Sequence, residues 1–196
     1  VIFGGILIAS ICWALTFGLP LGNFWLKIGL SVFIVSIYSF FFERPKIHFN
    51  PKSILWGFLS AFILYLIFLI GDKIAFFIIS SSKGQVEKIY LMGIKTNKIF
   101  VFLLLLLITG PGEEIFWRGF LQRRLMERFG TMIGFILSTA IYGGVHIFSR
   151  NLILILAALV AGAFWGFLYL WKRDLLIQII SHSIWGGIIF VIAPVK

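Results

Sequence analysis

Two adjacent carboxylates, Glu113 and Glu114, follow the apolar run IFVFLLLLLI at 99–108 and precede Arg118. An ionised side chain at mid-membrane costs about 2.5–3.5 kcal/mol on insertion scales, so such a pair needs a reason. On a helix, Glu114 and Arg118 lie four residues and about 40° apart, close enough for an ion pair. Glu113 points about 100° from Glu114 and about 140° from Arg118, and has no local partner. It shares its face with Phe116, Trp117 and Phe120. A carboxyl among apolar neighbours holds its proton more tightly than one in water, the property a general base or acid needs near neutral pH. The spacing therefore divides the roles: Glu114 with Arg118 as structure, Glu113 as the working group.

Two of the three histidines also fall within apolar stretches. His146 ends IYGGVH, with Tyr142 one turn earlier on the same face, and His182 stands in QIISHSIWGG between Ser181 and Ser183. His48 lies in a loop and reads as solvated. Either intramembrane histidine alone reads as a hydrogen-bonded core residue. Together with Glu113 they are expected to face one cavity, because ionisable groups within membranes turn towards the bundle interior. One carboxylate and two imidazoles suit two chemistries. Glu113 can activate a water directly, or Glu113, His146 and His182 can hold a divalent metal such as zinc with a water in the open position. Either supplies a nucleophile for amide hydrolysis. The H-E-x-x-H zinc signature is absent. Cys12 is the single cysteine and Asp is limited to Asp72 and Asp174, so no serine or cysteine triad is convincing.

The elements that must position these groups are membrane spans. Of 196 residues, 61% are hydrophobic and 12% charged, against roughly 45–50% and about 25% in soluble domains. That excludes an ordinary soluble enzyme, a disordered chain and a nucleic-acid-binding module. The net charge of +10 comes from basic residues between apolar segments, where anionic headgroups explain them better than nucleic acid. We read 1–196 as one integral membrane domain: an all-α, polytopic transmembrane helical bundle of about seven to eight helices. It is multi-pass, with the cell (plasma) membrane as the expected location and membrane lipids as partners. Seven spans are expected near 1–19, 24–42, 54–70, 99–128, 132–148, 152–171 and 175–195. Val1 to Leu19 lacks a basic leader and reads as a span rather than a cleaved signal peptide. Gly71-Asp72-Lys73 is expected to interrupt the third span, and Ser80 to Lys98 to form an exposed loop or surface helix. Thr109-Gly110-Pro111-Gly112 reads as a breaker, with a new helix starting so that both acids occupy its first turn near the positive dipole end. Gly162 and Gly166 make a small-residue seam for close packing. Loop charges divide evenly between the two sides, Lys46 on one and Lys196 on the other, and do not settle orientation.

The pattern Glu113-Glu114-Ile115-Phe116-Trp117-Arg118, then Tyr142-Gly143-Gly144-Val145-His146, then His182-Ser183-Ile184-Trp185-Gly186, resembles the CAAX protease and bacteriocin-processing (CPBP, or Abi) family of intramembrane endopeptidases. The motif core spans about 110–187. The resemblance implies Glu113 as the water-activating base, His146 and His182 as its partners, and Glu114 and Arg118 in support. It favours glutamate-activated water without a cofactor; a zinc-type metal on Glu113, His146 and His182 is the alternative. Tyr142, Trp117 and Trp185, beside the motif residues, are the expected substrate contacts. The expected partner is a peptide or protein cleaved near the membrane surface: a prenylated CAAX tail, a bacteriocin leader or a sorting tail. Two positions depart from the family pattern. Tyr142 stands where Phe is usual, and Gly186 where Asn or Asp is usual, leaving no side chain to hold an oxyanion. Ser183, Tyr142 or a backbone amide would have to substitute. Otherwise the chain is a non-catalytic immunity or scaffold protein on the same fold. A small transporter or proton relay, built on the interrupted helix, ranks third.

Overall fold

A computed structural model describes residues 1–45 and 47–195 as eight helices, with no strand among the described residues. Lys46 and Lys196, counted above among the loop charges, lie outside them. In chain order the helices are α1 (Ile2–Gly18), α2 (Phe24–Phe42), α3 (Pro51–Ile78), α4 (Ser82–Leu91), α5 (Lys98–Phe129), α6 (Thr131–Ser149), α7 (Leu152–Lys172) and α8 (Leu175–Ile192). Six of them are long and apolar enough to cross a membrane; α4 is the polar surface helix and α1, at 17 residues, is shorter. The chain is an integral, multi-pass membrane protein. Large apolar side chains such as Phe3, Leu30, Leu55 and Phe77 face outward along the first three helices, where lipid replaces water as solvent.

Most spans begin on a polar cap. Asn23, Asn50, Asn97, Asn151 and Asp174 each accept backbone N–H groups from the first turn of the helix that follows. These donors have no partner within the helix, and a carboxamide or carboxylate oxygen satisfies them at the membrane boundary. Asp174 also takes the Ser53 hydroxyl, tying the start of α8 to the start of α3. At the same end Glu43 binds Arg123 and Arg124, joining α2 to α5.

Two expected interruptions are absent. α3 runs unbroken through Gly71-Asp72-Lys73. A glycine costs about 1 kcal/mol in a helix and does not end one, and the apolar pattern resumes beyond it. α5 likewise passes through Gly110-Pro111-Gly112 with helical dihedrals at Gly110 (φ −57°, ψ −57°). The reason is a wide turn over Leu105–Thr109, where the Gly110 N–H bonds the Leu105 carbonyl five residues back. Pro111 has no N–H, and the wider turn relieves its ring against the preceding turn. The two glutamates therefore lie mid-helix, not at a helix start, and no dipole end holds them. A second wide-turn stretch follows at Ile115–Gln122.

The buried apolar residues form two clusters. One joins α1, α2, α5 and α6 around Trp13, Phe116, Trp117 and Phe120; the other joins α3, α7 and α8 around Leu64, Trp165 and Trp185. Close approach between helices depends on glycine, at the site most of all on Gly110 and Gly162. A Cβ on Gly110 would run into the Ser183 backbone and hydroxyl, and one on Gly162 would come within 2.7 Å of the Tyr142 ring. The Gly162–Gly166 seam thus faces α5 and α6. Gly143 meets Leu159 of α7, but Gly144 faces open space.

Candidate active site

Arg118 spans the junction of the two clusters. Its guanidinium lies 4.9 Å from the Tyr142 ring centre and 5.5 Å from that of Trp165. It donates Nη1 to Glu114 Oε1 (2.9 Å) and Nη2 to the Gly162 carbonyl (3.1 Å). Glycine at 162 lets the α7 backbone come close enough to accept that bond. The expected Glu114–Arg118 pair is therefore present, and both side chains are fully enclosed.

Glu114 Oε1 takes a second donor, His182 Nδ1, at 2.6 Å. The His182 ring stacks on Trp165 at 3.9 Å between centroids, and Trp165 is itself held by its indole N–H on Ser181 Oγ (3.0 Å). Glu114 Oε2 is buried with no partner among the described residues. The carboxylate thus ties α5 to α8 and sets which way the imidazole faces.

Glu113 belongs to a different network. It has no local partner, as its spacing implies, but Tyr142 of α6 donates its hydroxyl to Glu113 Oε2 at 3.1 Å. Tyr142 packs edge-on against Trp117 (5.1 Å). One turn on, His146 bonds the Tyr142 carbonyl through Nδ1 (2.8 Å) and receives the Trp13 indole N–H at Nε2 (3.4 Å). Phe17 lies beside the same ring, 5.9 Å between centroids.

Glu113, Tyr142, His146, His182, Trp185 and Gly186 all line one cavity of about 570 Å³. Its remaining wall is mostly apolar, from α1, α2, α3, α4, α5, α7 and α8, with Asp72 of α3 as a second carboxylate. The acids and histidines thus come from α5, α6 and α8, as their positions in the chain require. Glu114 and Arg118 sit behind the wall rather than on it. Trp117, expected as a substrate contact, is 1% exposed and lies behind Tyr142, outside the cavity. Ser183 donates to the Leu106 carbonyl (3.1 Å), so its hydroxyl is occupied with the α5 backbone and does not replace the missing side chain at Gly186.

Among the described residues, no three His, Cys, Asp or Glu side chains gather as a metal-binding group. Within the alternative ligand set of Glu113, His146 and His182, Nδ1 of His182 is on Glu114, and the two nitrogens of His146 meet the Tyr142 carbonyl and the Trp13 indole. Trp13, Phe17 and Trp165 were not picked out from the sequence. The available signal was position: tryptophans of membrane proteins favour the interfaces, whereas Trp13 and Trp165 stand deep within spans.

Residues 95–188 match the family described as Type II CAAX prenyl endopeptidase Rce1-like. The match spans α5 to α8, where both glutamates and both intramembrane histidines stand, and it bears out the resemblance of the motifs to the CPBP family. No curated protein and no solved structure matches the chain.

Proposed function

We propose that this chain, Rce1-like over residues 95–188, is an intramembrane endopeptidase that cleaves a membrane-associated or lipidated peptide with water activated by Glu113. One observation carries the reading. Glu113 lines the cavity together with both intramembrane histidines and is held there by the Tyr142 hydroxyl, while its neighbour Glu114 is withdrawn behind them. Glu113 takes a proton from a water in the cavity. The oxygen of that water forms a bond to the carbonyl carbon of the peptide, and the carbonyl oxygen takes up the negative charge. Collapse of the adduct breaks the carbon–nitrogen bond, and Glu113 returns the proton to the departing amine. His182, oriented by Glu114, lines the same cavity as the reacting atoms. The apolar walls exclude bulk water and strengthen each of these contacts.

The substrate is a segment whose flanking groups are apolar, since most of the wall is. The test is cleavage of a panel of lipidated and unlipidated apolar peptides by the protein in nanodiscs, with products identified by mass spectrometry. Glu113→Gln is expected to stop cleavage while leaving the thermal transition in place. Cleavage by Glu113→Gln at the wild-type rate would overturn the role of Glu113. No cleavage of any peptide by wild type would favour the non-catalytic reading. Retained cleavage in strong chelator is the expected result for a water activated by carboxylate alone.

A further inference from the structure

We infer that Trp13, on a helix outside the Rce1-like stretch, is a positioning residue for His146: its indole N–H and the Tyr142 carbonyl together hold the imidazole in one tautomer and one orientation. The inference rests on the reading of the chain as a protease.

The partners decide the tautomer. A backbone carbonyl only accepts, so His146 Nδ1 carries the proton that bonds Tyr142 O. An indole N–H only donates, so His146 Nε2 carries the lone pair that Trp13 meets. The two bonds are consistent with each other and with no other neutral form. They also select between the two ring orientations. Turning the ring over exchanges each nitrogen for a carbon and breaks both bonds at once. His146 is thus presented as an acceptor, which is the role of a group that orients a water towards Glu113 rather than one that donates to an oxyanion.

Trp13 is placed to do this rigidly. It is wholly buried, edge-on to Trp117 at 5.6 Å, within the α1, α2, α5 and α6 cluster. The Nε1–Nε2 separation of 3.4 Å is long for a hydrogen bond. A water at ordinary distance can displace the indole from the lone pair without moving the ring. Trp13 then aims the lone pair before water arrives and yields it afterwards. His146 stands at the C-terminal end of α6, where a tight final turn over His146–Ser149 leaves its side chain beyond the regular helix. A contact from another helix is what such a position lacks, and α1 supplies it.

The test uses full-length protein in nanodiscs with ¹⁵N-histidine. In wild type, His146 is expected to show a protonated Nδ1 and an unprotonated, hydrogen-bonded Nε2. In Trp13→Phe, which keeps an aromatic ring against Trp117, the Nε2 resonance should move to that of a free lone pair while Nδ1 stays. If Trp13→Phe fails to fold, benzothienylalanine at position 13 keeps the two-ring shape and lacks the N–H. Turnover should fall about tenfold in kcat with KM nearly constant, as for loss of a group that orients a reacting histidine. A protonated Nε2 in wild type, or an unchanged Nε2 resonance in both variants, overturns the inference. The spectrum needs no turnover, so Glu113→Gln should show the wild-type His146 signals. Failure of the protease reading and failure of this one are therefore separate results.

Discussion

Glu113 and Glu114 are neighbours in sequence and head two networks of opposite kind. Glu114 is wholly buried and takes two charged or chargeable donors, Arg118 and His182, on one oxygen. Glu113 takes one neutral donor, the Tyr142 hydroxyl, and lines the cavity. The histidines differ in the same sense. His182 is held by a carboxylate, and His146 by a carbonyl and an indole. The Glu114 side joins three helices through the Arg118 guanidinium and the His182 ring, and its carboxylate lies behind the cavity wall. The Glu113 side is held lightly by neutral groups, which leaves its carboxylate for a reaction. Partners rather than residue type separate scaffold from reacting group.

Breaking the ionic side should have the largest effect. Glu114→Ala leaves the Arg118 guanidinium buried without its carboxylate and His182 without its orienting acceptor. Loss of one partner from a buried pair typically costs about 3–5 kcal/mol. A thermal melt in detergent should show a large drop, with loss of activity as its consequence. Glu113→Gln should show the reverse pattern. Glutamine can still accept from Tyr142, so stability should change by less than about 1 kcal/mol, while cleavage falls by about 10²–10⁴ for loss of the general base. If the two variants lost stability equally, the division between the networks would fail.

How far the sequence anticipates this division depends on distance along the chain. The Glu114–Arg118 pair is legible because four-residue spacing is a local property of any helix, and it survives even the wide turns of α5. That Glu113, His146 and His182 share a cavity is legible from the cost of burying polar groups in lipid. Which acid meets which histidine is not. The Glu114–His182 bond joins α5 to α8, and nothing in either segment encodes their rotation about their own axes. Gly110-Pro111-Gly112 misleads for a specific reason. Glycine and proline read as breakers, yet one extra residue in the preceding turn accommodates the proline, and the surrounding helices hold the segment in place. Trp13 is invisible as a site residue because its role is set by α1 packing beside α6.

A finer test of the lightly held side is Tyr142→Phe. The ring stays against Trp117 and beneath Arg118, and only the hydroxyl on Glu113 is lost. A hydrogen bond to a charged group is worth roughly 1.5–3 kcal/mol, part of which water in the cavity can restore. Cleavage should therefore fall about tenfold, well short of Glu113→Gln. A loss as deep as that of Glu113→Gln would mean that the phenol acts on the substrate as well as on Glu113.

The smallest effect is expected at Gly186, a position without a side chain in the cavity wall next to His182. A Cβ there would meet only Leu105, at 3.6 Å, an ordinary contact. Alanine is also the better helix former by about 1 kcal/mol. Gly186→Ala should raise the melting temperature slightly and reduce cleavage by about twofold at most, because one methyl group takes little of a 570 Å³ cavity. Gly110→Ala is the matched control. It also adds one methyl group, but against the Ser183 backbone, so it should push α5 from α8 and destabilise by about 1–3 kcal/mol. A deep loss of cleavage in Gly186→Ala without loss of stability would place the reacting segment of the substrate within contact of position 186. The missing side chain would then be room the substrate uses, on the His182 side of the cavity rather than the His146 side.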